Sequence, residues 1–300
     1  MSTKTGLVLG GGGVTGIAWE IGLLKGLRDG GVDVSDADTI VGTSAGSVVG
    51  ALLGMGDDLD DLYAEQIEPA PAELGAEFGT RAQLTLLGLM MLPGSGRTKR
   101  SRIGRAARKA HPGPADDRLK VFEARLRRED GSLVEWPERD LKITAVDADS
   151  GSFRVFDRTG DVDLLHAVAA SCAVPLVWPA VEIGGRHYVD GGMRSAANAD
   201  LATGCDVVLA VVPLWRALSR HHAVPEQLRR TGARRTAWIN PDKESLTAIG
   251  RDVLDPSKRM GAARAGAAQG RRMAAEVAEG WPTATPIRQH SPRVEDPLDR

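Results

Sequence analysis

Two short apolar segments near the start of the chain each lead into a glycine-rich turn, and each turn precedes a stretch with helical hydrophobic spacing. Residues 5–9 lead into the glycines at 10–13, and residues 39–41 lead into the turn at 42–46. Repeated strand–turn–helix units of this kind assemble into a parallel sheet with helices on its faces. The chain is therefore predicted to be an α/β protein, a three-layer α/β/α sandwich with a mainly parallel central sheet.

The same patterns predict the remaining elements. Strands are expected at residues 141–146, 153–156, 181–183, 187–189 and 207–212, and helices at residues 164–171 and 260–277. We expect a single domain over residues 1–300. Within it, residues 57–130 would form a lid-like insertion, residues 215–280 C-terminal helices that cover the sheet, and residues 281–300 an irregular tail.

Composition and charge exclude several function classes. The net charge of −2 and the aromatic content of 4% argue against a nucleic-acid partner, because neither a basic field nor a base-stacking surface is present. Cys172 and Cys205 are too few for a disulfide framework. The longest apolar stretch, residues 84–92, is far shorter than the roughly 20 residues of a membrane-spanning helix. With no recognisable signal peptide, the protein is expected to be cytoplasmic or peripheral to a membrane.

The second glycine-rich turn has the pattern Gly42-x-Ser44-x-Gly46. A serine hydroxyl is a poor nucleophile, so it has to be exposed to substrate and held next to a base. A sharp strand-to-helix turn provides this exposure, and flanking glycines let the backbone turn and the substrate approach. Ser44 is thus a candidate nucleophile, although a purely structural turn would show the same pattern.

The first glycine run allows two interpretations. Written as Gly11-x-Gly13-x-x-Gly16, it matches a dinucleotide-binding fingerprint, with Asp33 or Asp36 near the position expected for a ribose contact. As a loop at a helix N-terminus, it would instead present backbone amides to an oxyanion. The neighbouring serine turn favours the oxyanion loop, because a dinucleotide site does not need it.

A third motif, Asp190-Gly191-Gly192, follows the predicted hairpin, and the pattern Ser-x-Ala-x-Pro precedes it at residues 171–175. Asp-Gly pairs are ordinary turn formers, so this motif alone carries little information. In this order and spacing, however, the three motifs resemble those of the bacterial patatin-like phospholipases. The resemblance extends over residues 5–212 and implies the patatin-like fold.

The resemblance also implies a serine hydrolase that acts on lipid acyl esters through a Ser–Asp dyad. Ser44 would be the nucleophile, Asp190 its base, and the amides of Gly11, Gly12 and Gly13 would form the oxyanion hole. No metal and no organic cofactor is implied, because water would resolve the acyl-enzyme. The expected partner is a lipid or other acyl ester, with transient contact to a membrane surface.

One position departs from the family pattern. Thr15 stands where the family usually has Arg or Lys, just before Gly16. Because the backbone donors of the loop are unaffected, we expect this departure to change the rate more than the reaction type. It also leaves open a catalytically silent scaffold.

Two other functions remain compatible with the sequence. A conventional α/β-hydrolase would complete a triad of Ser44 and Asp190 with His221, His222 or His290. The second is the dinucleotide-binding protein described above.

Residues 82–109 carry a separate hypothesis. An apolar stretch that ends at Leu92 is followed, between Arg97 and Lys109, by seven basic residues without an acid. Such a segment could be an interfacial cap, with apolar side chains on acyl chains and cations on anionic headgroups. The alternative is a core helix followed by a solvated basic loop.

Overall fold

A sheet of eight strands runs through the part of the chain that the computed structural model describes. This part comprises residues 3–68, 79–110, 115–127, 131–132, 134–214 and 220–282. The strands are β1 (Thr5–Leu9), β2 (Thr39–Gly42), β3 (Asp140–Asp147), β4 (Phe153–Phe156), β5 (Val181–Ile183), β6 (Arg186–Asp190), β7 (Val207–Val211) and β8 (Arg235–Ile239). Their order is β5-β6-β3-β2-β1-β7-β8, with β4 paired to β3 outside this path.

The centre of the sheet is parallel, as predicted. Strands β3, β2, β1, β7 and β8 are parallel to one another, whereas β4 and β6 pair antiparallel with β3, and β5 pairs antiparallel with β6. β3 pairs with β2 through residues 140–143 and with β6 through residues 145–147. The later part of β3 thus positions the end of β6 near the end of β2.

Helices lie on both faces of the sheet. In the described residues they are α1 (Gly13–Asp29), α2 (Ala45–Met55), α3 (Leu59–Ile67), α4 (Thr80–Met91), α5 (Gly96–Ala110), α6 (Asp116–Arg125), α7 (Leu164–Ser171), α8 (Val224–Thr231), α9 (Lys243–Ile249) and α10 (Arg259–Gly280). The core on one face includes α1, α2, α7 and α10, while α8 and a 3₁₀ turn at Ala199–Ala202 cover the other. This arrangement confirms the predicted α/β fold with helices flanking a central sheet.

Alternation along the central strands supplies both cores. Leu7 and Leu9 of β1 join the core under α1, and Val8 between them joins the opposite core. β7 repeats the pattern, with Leu209 on the first face and Ala210 on the second. Because both faces are covered, these strands are almost uniformly apolar in sequence, which made them easy to predict.

The sequence did not predict β8. Residues 215–280 were expected to be helical, and α8, α9 and α10 do lie there, but Arg235–Ile239 adds an edge strand parallel to β7. Arg235, Thr236 and Ala237 are exposed, so the strand lacks a buried apolar pattern. Of the predicted tail, 281–300, the structure describes residues 281–282, and the rest lies outside the described residues.

The predicted insertion, residues 57–130, contains α3, α4, α5 and α6. Phe122 of α6 belongs to the main core, and Ala107 of α5 packs on Val146 of the sheet. The basic run is therefore a helix and not a loop, while the described side chains of α4 are exposed or half-buried and not part of a core. Parts of this insertion lie outside the described residues, namely residues 69–78, 111–114, 128–130 and 133.

Helices α1 and α10 pack unusually closely through glycines. A Cβ on Gly22 would lie 2.1 Å from the Ala263 carbonyl oxygen, and a Cβ on Gly266 would lie 2.4 Å from the Trp19 carbonyl oxygen. Only glycine, which has no side chain, allows two helix backbones to approach this closely. Since α1 begins at Gly13, α10 holds the helix that extends from the glycine loop.

A buried carboxyl lies within this same helix. The Glu20 side chain is fully buried, and neither of its oxygens has a hydrogen-bond partner among the described residues. Burial raises the pKa of Glu20 well above its usual range, and the nearby Gly10 backbone offsets only part of the shift. The folded protein therefore favours the protonated, neutral form.

We predict that Glu20→Gln stabilises the protein increasingly as the pH rises. Below the ordinary pKa of glutamate both folded and unfolded chains hold the proton, whereas above it the unfolded chain ionises first and folding loses free energy. The stability difference between variant and wild type should therefore be larger at pH 8 than at pH 5, by about 1.4 kcal/mol for each pH unit over which only the unfolded chain is ionised. Urea denaturation at pH 5 and pH 8 measures it, and an equal difference at both pH values would contradict this account.

Candidate active site

Ser44 lies in the turn between β2 and α2. Its φ of 52° and ψ of −117° belong to a conformation that residues with a side chain rarely adopt. The flanking glycines are required by packing: a Cβ on Gly42 would lie 2.6 Å from Ser47 Cα, and one on Gly46 would lie 2.1 Å from the Leu9 carbonyl oxygen. The Gly-x-Ser-x-Gly pattern therefore follows from how tightly this turn packs on itself at Gly42 and against β1 at Gly46.

Asp190 ends β6 and meets Ser44 directly. The Ser44 hydroxyl lies near enough to the Asp190 carboxyl to lower its pKa as a hydrogen-bond donor, and the Gly192 amide donates to Asp190 Oδ1 at 2.7 Å. Gly191 lies so close to β3 that a Cβ there would be 2.2 Å from Thr144 Oγ1. The two predicted catalytic side chains, far apart in sequence, are thus in contact.

The surroundings of Asp190 change its acidity. Ser44 is 7% exposed and Asp190 is 6% exposed, so water screens neither group. Burial raises the pKa of Asp190 to about 6, and the hydrogen bonds from Ser44 and Gly192 limit the shift. A carboxylate with a pKa near neutrality is a better proton acceptor than an ordinary aspartate and is still mostly ionised at pH 7.

The segment before β5 fixes both residues. The Ser44 amide donates to Ser171 Oγ at 2.9 Å, and the Asp190 amide donates to the Ala173 carbonyl at 3.0 Å. The Cys172 thiol, between these two contacts, donates to the Ser44 carbonyl at 3.3 Å. The Ser-x-Ala-x-Pro pattern seen in the sequence therefore serves as a spacer between the serine turn and β6.

Asn198 is a residue of the site that the sequence did not reveal. Its buried Nδ2 donates to Thr43 Oγ1 at 3.0 Å and to the Ser195 carbonyl at 2.8 Å, and it also lies 3.3 Å from Thr144 Oγ1 and 3.4 Å from the Gly191 carbonyl. Asn198 precedes the Ala199–Ala202 turn, but its side chain makes no capping hydrogen bond there. Its amide instead links the residue before Ser44 to the residue after Asp190.

The glycine loop lies next to Ser44: a Cβ on Gly11 would be 3.6 Å from Ser44 Cβ. The Gly11 amide is already engaged, since it donates to the Ala196 carbonyl at 2.8 Å. Among the described residues, nothing accepts a hydrogen bond from the Gly12 or Gly13 amides. Of the three predicted oxyanion donors, Gly12 and Gly13 are therefore the two with unused N–H groups.

Thr15 has a structural role of its own. Its amide and its hydroxyl both donate to the Val253 carbonyl, at 3.1 and 3.3 Å. A Cβ on Gly13 would lie 2.6 Å from the same oxygen. Thr15, which stands where the patatin-like phospholipases usually have Arg or Lys, thus attaches the glycine loop to the segment before α10.

The dinucleotide interpretation does not fit this structure. A ribose-binding acid should lie at the carboxyl end of the second strand, near the glycine loop. Asp33 and Asp36 instead precede β2, at the opposite edge of the sheet. Asp33 accepts hydrogen bonds from Ser35, and Asp36 pairs with Arg139, so both belong to a surface turn.

The predicted histidines give no support to a triad. In the described residues, neither Ser44 nor Asp190 hydrogen-bonds to an imidazole. His221 contacts Arg230, and the His222 carbonyl accepts from Ser195, while His290 lies outside the described part of the chain. The described chain also contains no cluster of three histidine, cysteine or carboxylate side chains that could hold a metal ion.

A family model decides the relationship of this chain to known proteins. The model for patatin-like phospholipases matches residues 7–203, which include all three motifs and about two thirds of the chain. The chain belongs to the patatin-like phospholipase family. This family assignment agrees with the resemblance drawn from the motifs. No helix in the described ranges has the length and apolar character needed to cross a bilayer.

Individual relatives share less with this chain. Lysophospholipases nte1 of Aspergillus niger and Aspergillus oryzae are each 47% identical over 60 residues, which is 20% of this chain and 4% of those proteins. The chain therefore spans a small part of these curated relatives. Among solved structures, VipD of Legionella pneumophila has 12% identity and a TM-score of 0.45, with 92% of this chain and 67% of that chain covered. ExoU of Pseudomonas aeruginosa, in complex with SpcU, has 16% identity and a TM-score of 0.37, with 87% and 52% covered.

We predict that Ser44→Gly makes the protein about 1 kcal/mol more stable than Ser44→Ala. Both variants lose the hydroxyl, but glycine also relieves backbone strain of about 1–3 kcal/mol. That gain exceeds the extra entropy of glycine in the unfolded chain, about 0.4–1 kcal/mol. Urea denaturation of the two variants at one pH measures this difference. Equal denaturation midpoints for Ser44→Gly and Ser44→Ala would show that the Ser44 backbone is not strained.

Proposed function

We propose that the chain hydrolyses acyl esters of lipids, as a phospholipase A, lysophospholipase or esterase, through a dyad of Ser44 and Asp190. The observation that carries this proposal is the buried Ser44 hydroxyl beside a buried carboxylate whose pKa is raised to about 6. A strained, glycine-flanked serine that contacts such a base is what nucleophilic catalysis requires.

In the first half of the reaction, Asp190 takes the proton of Ser44 while Oγ attacks the ester carbonyl carbon. The oxygen that becomes negatively charged would accept hydrogen bonds from the unused amides of Gly12 and Gly13. When the tetrahedral intermediate collapses, the ester C–O bond breaks and the leaving alcohol receives the proton from Asp190. Ser44 is left acylated.

In the second half, water replaces the alcohol. Asp190 takes a proton from this water while its oxygen attacks the acyl carbon, and the same loop amides would hold the new oxyanion. The bond to Ser44 Oγ then breaks, Oγ regains a proton from Asp190, and a free carboxylic acid leaves. The cycle needs no redox step and restores the starting protonation of both residues.

Lipid esters are proposed as substrates because of the family and the curated relatives. The family is named for phospholipase activity, and the nte1 proteins, which match over 60 residues, are named lysophospholipases. Gly11 enters the mechanism indirectly, because its hydrogen bond to Ala196 fixes the loop that presents Gly12 and Gly13.

We expect Ser44→Ala and Asp190→Asn each to lower kcat by about 10³-fold or more, on a phospholipid and on a soluble short-chain ester. Because the two residues act as one unit, the double variant should be no less active than either single variant. His221→Ala and His222→Ala serve as matched controls and should retain activity. A loss of comparable size in a histidine variant, His290→Ala included, would instead favour a Ser–Asp–His triad.

The pH dependence should follow Asp190. A base must be ionised to accept the serine proton, so kcat/KM for the soluble ester should be constant above the pKa of about 6 and fall about tenfold per pH unit below it. The profile is measured between pH 4.5 and pH 8, with stability followed in parallel. A flat profile through pH 6 would be inconsistent with Asp190 as the base.

A further inference from the structure

An exposed apolar row lies on α4. The side chains of Leu84, Leu87 and Met91 are 64%, 55% and 77% exposed, and Leu92 just beyond the helix is 46% exposed. The first three recur at helical spacing, so they share one face. Single exposed leucines are common in soluble proteins, but a contiguous row on one helix is the pattern of an interaction site.

The neighbouring helix, α5, is strongly basic. Arg97, Arg100 and Arg102 donate to backbone carbonyls and Arg105 to Ser101, so their described partners are neutral oxygens. Arg108 differs, because it forms an ion pair with Asp149 at 2.6 Å. Since the whole chain has a net charge of −2, this concentration of uncompensated positive charge is local.

The positive charges also affect one another. Burial and the nearby cations Arg194 and Arg97 lower the pKa of the Arg100 guanidinium. Arg194 follows the Asp190-Gly191-Gly192 turn, and its guanidinium lies 4.4 Å from the centre of the Phe153 ring. Arg194 itself is paired with Asp200, so the basic surface is that of α5, and it lies beside the loop that carries Asp190.

Helix α5 is fixed firmly to the sheet. A Cβ on Gly104 would lie 2.2 Å from the Ala148 carbonyl oxygen, and one on Gly151 would lie 2.1 Å from the Arg97 carbonyl oxygen. The residues that α5 contacts in this way directly follow β3, whose end pairs with β6 at Asp190. By contrast, α4 packs mainly against α5 and projects its apolar row away from the core.

We propose that these two helices form a docking surface for anionic phospholipid membranes. The apolar row of α4 would enter the acyl region while the cations of α5 contact the headgroup phosphates and carry the specificity for negative charge. This surface would bring the substrate bilayer to the Asp190 loop, so its catalytic purpose rests on the proposed function. Binding itself does not depend on that function.

The binding test is vesicle flotation of the full chain. Wild type should float with vesicles of phosphatidylcholine mixed with phosphatidylglycerol, and much less with phosphatidylcholine alone, and the binding should fall as salt is raised. Leu87→Glu with Met91→Glu, and separately Arg102→Glu with Arg105→Glu, should each weaken it about tenfold or more. Leu246→Glu with Met260→Glu is the matched control, because these residues are 48% and 43% exposed on other helices, and it should bind like wild type.

Several outcomes overturn the proposal. Absence of wild-type binding, equal binding to both vesicle types, or equal loss in the control variant would each do so. A further contradicting result would be a wild-type protein that binds no vesicles and sediments as a dimer, which Leu87→Glu with Met91→Glu dissociates. A second copy of the chain would then occupy the apolar row of α4. Hydrolysis of a soluble ester separates the membrane-docking proposal from the proposed enzymatic function. The Leu87→Glu with Met91→Glu variant should still hydrolyse this ester. Absence of this hydrolysis in the wild type would reject the enzymatic function and leave the binding result intact.

Discussion

The Ser44 hydroxyl can lie beside the Asp190 carboxylate only because two turns approach the sheet more closely than side chains would permit. Gly46 lies against the Leu9 carbonyl, and Gly191 against Thr144. A methyl group at either position would push the serine turn away from β1 or the end of β6 away from β3. Gly46 of the serine turn and Gly191 after Asp190 are therefore steric requirements of one contact, which joins distant parts of the chain.

This contact has an energetic cost that the surroundings offset. Ser44 has a strained backbone, and Asp190 is ionised at neutral pH in a buried position where its pKa is raised to about 6. The Ser171–Ala173 segment and the Asn198 amide hold both turns with buried hydrogen bonds. Such a network explains how the fold maintains a conformation that neither residue would adopt by itself.

Local patterns were sufficient to predict the sheet centre and the three motifs, because buried parallel strands are continuously apolar and the glycine turns follow them directly. The remainder depends on tertiary contacts without a local pattern. Edge strand β8 has three exposed residues, Asn198 resembles any turn asparagine, and the engagement of the Gly11 amide by Ala196 cannot be inferred from either residue. The attachment of Thr15 to Val253 likewise joins the loop to a segment beyond the family match.

Asp190 is the proposed base that activates Ser44, and covalent labelling tests this role most directly. A fluorophosphonate probe should form an adduct on Ser44 of the folded protein, located by mass spectrometry, at a rate that rises with pH through an inflection near 6. In Asp190→Asn the adduct should form about 10³-fold more slowly or not at all. Labelling of Ser44 at the wild-type rate in Asp190→Asn, or no adduct on Ser44 in the wild type, would contradict the dyad.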